Sequence, residues 1–89
     1  MPLFEFDQAK SEANKAKHGI DFIEAQELWQ TPLLIIATGY VEELRWLAIG
    51  DLSGRFWTAV YTERAEVIRL ISARRSRDHE VQGYEKDFG

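Results

Sequence analysis

Five arginines, Arg64, Arg69, Arg74, Arg75 and Arg77, crowd into one stretch of this chain with Glu66 as the single carboxylate among them. The guanidinium is the side chain best shaped for bidentate binding of a phosphate. The remainder of the chain is acidic, and the whole carries a formal charge of −4. That total, taken alone, argues against nucleic-acid binding, which needs Lys and Arg at the phosphates. The local stripe argues for it. Two readings of the stripe stand side by side: a phosphate-binding surface, or a solvated strand exit whose arginines pair with surplus carboxylates.

Proton carriers are fewer. His18 could serve as a proton carrier, the role to which an imidazole is suited. It also sits where a helix would end, and there a cation is favoured by the helix dipole alone. Lys17 beside it has the same two readings. Glu63 and Glu80 could move protons, although the chain offers 15 carboxylates to choose from. Tyr61 and Tyr84 could stack on bases or fill a core. Trp29, Trp46 and Trp57 belong to a core or to a partner surface. Cysteine is absent and only two histidines occur, so neither disulfides nor a cysteine or histidine metal cluster can form. The sequence has no phosphate-cradling glycine loop and no nucleophile elbow.

The elements that must position these groups follow from patterning. Leu3 to Phe6 alternates as an edge strand does. Asp7 is a good N-cap for a helix over Gln8 to His18, with Ala9, Ala13 and Ala16 at helical spacing and Gly19 just past its end. Asp21 caps a second helix, Glu24 completes a capping box, and Thr31-Pro32 stops it. Phe22, Ala25 and Trp29 share one face of that helix. Strands are expected at Leu33–Thr38, Leu44–Ile49, Phe56–Thr62 and Val67–Ala73, with turns at Gly39, at Asp51–Gly54 (type I) and at Glu63–Ala65. Alternation along the last strand puts Arg69 with Val67 and Ile71, and Leu70, Ser72 and Arg74 on the opposite side. Ser76 opens a C-terminal helix on which Val81, Tyr84 and Phe88 share a face. The fold class is α+β: a four-stranded antiparallel sheet with two N-terminal helices and a C-terminal helix packed on one face, in a single domain over residues 1–89. The longest apolar run is strand-sized, and no charged-then-apolar leader stands at the N-terminus, so a cytoplasmic protein without membrane contact is expected.

Several ordered segments also carry a resemblance. Phe4 to Ala25 (FEFDQAKSEANKAKHGIDFIEA), Glu43 to Gly50 (ELRWLAIG), Tyr61 to Arg64 (YTER), Ile68 to Ser76 (IRLISARRS) and the Glu80–Tyr84 spacing together resemble the BrnT family. The resemblance implies a RelE-like fold and a metal-independent, cofactor-free endoribonuclease toxin of a type II toxin–antitoxin system. It implies a BrnA-like antitoxin partner, RNA as substrate, and contact with operator DNA only through the antitoxin complex. RNA brings its own nucleophile, the 2′-hydroxyl, so the protein need only position the phosphate, stabilise its charge and move protons. On that basis Arg64 and Arg74 are the expected phosphate-stabilising groups. His18 or Glu63 is the expected proton carrier, and Arg69, Arg75 and Lys17 are expected to contact RNA. The acidic balance keeps a second outcome open: a module that retains the antitoxin contact, or a co-repressor role, without cleavage.

Overall fold

The computed structural model describes residues 2–39 and 44–88. Its elements are β1 (Leu3–Glu5), α1 (Gln8–His18), α2 (Phe22–Ala25) followed by a 3-10 segment (Gln26–Gln30), β2 (Leu34–Ala37), β3 (Trp46–Leu52), β4 (Arg55–Arg64), β5 (Val67–Arg75) and α3 (Asp78–Phe88). The sheet has five strands in the order β1-β5-β4-β3-β2. This corrects the four-stranded expectation. The N-terminal strand joins the sheet and runs parallel to β5, with Leu3 opposite Val67 and Glu5 opposite Arg69. The other pairings are antiparallel.

Local signals act as their chemistry dictates. The Asp7 carboxylate accepts the Lys10 amide at 3.0 Å, and Gly19 closes α1 in the left-handed conformation. Asp21 and Glu24 form a reciprocal capping box. The alanine stripe of α1, by contrast, is exposed. The buried residues of this helix are Ser11 and Asn14. The Ser11 hydroxyl accepts the Phe22 amide at 2.9 Å. The Asn14 amide donates to the Ile20 and Ala73 carbonyls at 2.8 Å, and its oxygen accepts the Ala73 amide at 3.3 Å. Because β1 pairs with β5 only from Val67 to Arg69, Asn14 serves the strand edge that β1 leaves open. Helix α1 is thus docked by hydrogen bonds that satisfy buried backbone groups, whose desolvation would otherwise be costly.

Both tight turns differ from expectation. The β3–β4 hairpin has a two-residue turn, Ser53-Gly54, with φ of 54° and 87°. Positive φ at both central positions belongs to the I′ class that matches strand twist, not to type I. Asp51 still contributes, accepting the Gly54 amide at 2.7 Å. The second turn is Ala65-Glu66, again with positive φ at both residues, one position later than Glu63–Ala65.

The apolar core lies on one face of the sheet. Phe22, Ala25 and Leu28 pack there on Ala48, Ala59, Tyr61, Leu70 and Ala73. Trp29 stands edge-on between Phe4 and Tyr61. Gly50 lies beneath this layer, where a Cβ would come within 2.9–3.0 Å of the Leu28, Leu33 and Thr31 side chains. Helix α3 does not join the layer. It covers β2 and β3 from the opposite face, over fully buried Ile49 and Thr58, which alternate with core-facing Ala48 and Ala59. The expectation that all helices share one face is corrected: α3 leaves the second face only partly covered.

A bulge re-aims the arginine strand. The register of β4 on β5 shifts between Val60 and Tyr61, so Val60 faces Ser72, Tyr61 faces Leu70, and Ile71 is the extra residue. Parity changes there. Arg69 and Arg74 therefore fall on the same, second face, where simple alternation would separate them.

Candidate anion-binding groove

The second face carries a groove of about 520 Å³ between the start of α3 and the β2–β3 connection. Leu47, Val60 and Ile71, from the three central strands, make an apolar floor. Arg74 and Arg77 flank it on one side, and Arg45 lies on the other. The hydroxyl residues Ser72 and Thr38 also line it. No carboxylate occurs among the described lining residues, although the chain as a whole is acidic.

Arg74 is fixed by a buried partner. Its two terminal nitrogens donate to the two oxygens of Glu80 at 2.7 and 2.9 Å. Glu80 is 3% exposed. The same carboxylate accepts the Arg77 amide at 2.8 Å and the Thr58 hydroxyl at 3.1 Å. The Thr58 hydroxyl in turn shares a 2.8 Å hydrogen bond with Ser76. Ser76 is therefore tied to the sheet and does not cap α3. Glu80, the third residue of the helix, reaches back to the amide preceding it, as the acidic half of a capping box does. Burial pushes the Glu80 carboxyl upward, but the Arg74 and Arg77 hydrogen bonds, the Arg74 charge and Thr58 outweigh it and hold the pKa at about 2. Arg74 is raised by its hydrogen bonds to Glu80 against the opposing effect of burial. The pair stays ionised across the physiological range, with Arg74 held on the groove wall. Arg77 has no side-chain partner among the described residues and is exposed.

The other expected site residues lie elsewhere. Glu63 and exposed Arg64 end β4 beside the Ala65-Glu66 turn. Arg69 faces Glu5 at a long 3.8 Å, with both side chains about half exposed, a weak pair in water. Arg75 lies over the Trp57 ring, 5.5 Å from its centroid, on the core side of the sheet. Half-buried His18 and exposed Lys17 end α1, one turn beyond Asn14 and its Ala73 contact. Between Arg64, opposite Val67, and Ala73 lie six strand steps, roughly 20 Å. Glu63 and Arg64 thus stand at one end of β5, and Lys17, His18, Arg74 and Arg75 toward the other. None of the seven except Arg74 lines the groove.

Arg45 and Arg77 complete the groove: Arg45 was not singled out from the sequence, and Arg77 was part of the arginine stripe but not among the expected site residues. Arg45 precedes Leu47 by one strand period, which places both on one face. Arg77 follows the strand and lies just before α3. Tyr61 is buried in the core and does not line the groove, and desolvation with the nearby Glu63 charge pushes its phenol up to about 12. Tyr84 packs between Phe56 and Phe88 and donates to the Pro32 carbonyl at 3.1 Å. Thr62, on the second face one rung beyond Val60, is 3% exposed and its hydroxyl has no partner among the described residues.

Guanidiniums around an apolar floor, in a chain otherwise negative, make a groove whose chemistry suits an anion of the phosphate kind. A family model described as "Ribonuclease toxin, BrnT, of type II toxin-antitoxin system" matches residues 6–80. The chain belongs to this family and is a ribonuclease toxin of a type II toxin–antitoxin system. No individual curated protein matches it. Glu43, the first residue of the second motif, lies outside the described residues. Among the described residues, no helix is long and apolar enough to cross a membrane and no group of three acidic, histidine or cysteine side chains could hold a metal ion.

Proposed function

We propose that this toxin is a cytoplasmic, metal-independent endoribonuclease that cleaves RNA at the Arg74–Arg77 groove and is neutralised by a BrnA-like antitoxin. Operator DNA is reached only through that complex. The observation that carries the reading is the groove itself: guanidiniums with no carboxylate among the described lining residues, one held rigid by Glu80 and one exposed. The scissile phosphate lies against Arg74 and Arg77. The RNA 2′-oxygen attacks phosphorus, the 5′-oxygen leaves, and the charge that gathers on the non-bridging oxygens is stabilised by guanidiniums already in place. Preorganisation matters here, because Arg74 needs no reorientation when charge develops.

In this reading Arg75, Lys17 and His18 contact RNA beyond the groove at the same end of β5, and Arg69 and Arg64 extend the positive track toward the other. His18 and Glu63 do not line the groove, so a proton carried by either travels through water. A second reading is favoured by one observation: Arg74 is already paired with Glu80, as a purely structural ion pair would be. That reading makes the chain a binding module that only engages its antitoxin or acts as co-repressor.

Cleavage of a single-stranded RNA by the purified chain, with and without a chelator, together with growth arrest on induction, separates the two. Cleavage that survives the chelator and is lost in folded Arg77→Ala supports the ribonuclease. Intact RNA and unaffected growth, with antitoxin still bound, support the module.

A further inference from the structure

We infer that the groove is a nucleotide subsite that holds one unstacked base on the Leu47–Val60–Ile71 floor with its phosphate between Arg74 and Arg77, so that it selects single-stranded over duplex RNA. This rests on the proposed ribonuclease reading and goes further by naming what part of RNA the groove takes. A site for phosphate alone needs guanidiniums and hydroxyls, and it gains nothing from three aliphatic side chains at its base. Here the floor is apolar and the cations stand at the margins. That division matches a nucleotide, with one face of a flat apolar ring and an anionic group attached to it. The size agrees, since about 520 Å³ falls within the roughly 300–1,000 Å³ of small-molecule sites.

The Ser72 hydroxyl makes no hydrogen bond with another described residue and is available to the ribose or phosphate. Charge complementarity decides the occupant, because no carboxylate lines the groove among the described residues. A paired, stacked base cannot lie face-down on this floor. Duplex RNA would have to open first, and the energy of unstacking and unpairing is then set against it.

The test uses the full chain and three probes: inorganic phosphate, ribose 5-phosphate and uridine monophosphate, followed by methyl resonances. Uridine monophosphate is expected to bind about tenfold tighter than ribose 5-phosphate. It should shift the Leu47, Val60 and Ile71 methyls, and all three probes should weaken in Arg77→Ala. A single-stranded oligoribonucleotide should displace it at about tenfold lower concentration than the same sequence in duplex. Ribose 5-phosphate binding as tightly as the nucleotide, with the floor methyls unmoved, overturns the base subsite even if RNA is cleaved. Nucleotide binding on the floor in a chain that cleaves nothing sustains the subsite and removes the proposed activity instead.

Discussion

The two faces of the sheet are built from different materials. One carries α1, α2 and the 3-10 segment over a continuous apolar core centred on Phe22, Leu28 and Ala59. The other carries α3 over Ile49 and Thr58 and leaves the groove open. On the first face hydrophobic burial does the stabilising, and the polar groups that intrude (Ser11 and Asn14) serve backbone atoms. On the second face a buried ion pair holds the helix start against the strand and orients a cation at the same time. Stability and the proposed binding are thus largely assigned to opposite sides of a sheet only one layer thick, with Arg74 and Glu80 as the point where they meet.

The comparison can be broken first at the core. Phe22→Ala is expected to destabilise by about 3–5 kcal/mol in urea unfolding, a large share of the stability of a chain this size. A loss below about 1 kcal/mol would mean the first face is not the stabilising one. Glu80→Ala leaves Arg74 uncompensated and is expected to destabilise by about 3–5 kcal/mol. Glu80→Gln sharpens the point through pH. A carboxylate held at about 2 contributes its stability fully above the unfolded value near 4.3 and loses it as pH falls through 2. Wild type should therefore lose stability between about pH 5 and pH 2, and Glu80→Gln should show a smaller slope in that window. Equal slopes would mean that the pair carries no such linkage.

Arg77→Ala tests the second face alone. Cleavage is expected to fall on the order of 100-fold, while stability stays within about 0.5 kcal/mol because the side chain is exposed and has no partner among the described residues. Thr62→Val is the smallest effect and of opposite sign. Removing a buried hydroxyl without a partner should raise stability by about 1 kcal/mol, measured by the same unfolding curves. Destabilisation would show that the hydroxyl finds a partner in solution.

What could be read from the sequence follows the distance over which each decision is made. Helix α1 runs from Gln8 to His18 as its caps specify, and the Asp21–Glu24 box forms as written, because these contacts lie within one turn. The arginine stripe was visible as a local charge reversal. Four features decided far along the chain were not: the parallel pairing of β1 with β5, the seating of α3 on the second face, the bulge at Ile71, and the docking of α1 by Asn14 fifty-nine residues from Ala73. Ala9, Ala13 and Ala16 had the right spacing for a buried stripe, but alanine buries little area, and Asn14 gains more by satisfying a strand edge. The groove was hidden for the same reason. Arg45 and Arg77 are far apart in sequence, and Arg74 reaches the groove's face only through the bulge's change of parity.

The parallel pairing of β1 with β5 has a consequence for the order of events during synthesis. A chain leaving the ribosome N-terminus first presents β1 and α1 long before their sheet partner exists. Contacts of such high sequence separation form slowly and only once the late segment is available. Arg74, Arg77 and Glu80 belong to that late segment too. The groove and the final sheet edge are therefore completed together, only once the segment from β5 to the start of α3 has emerged, and a chain that stops short of it has neither.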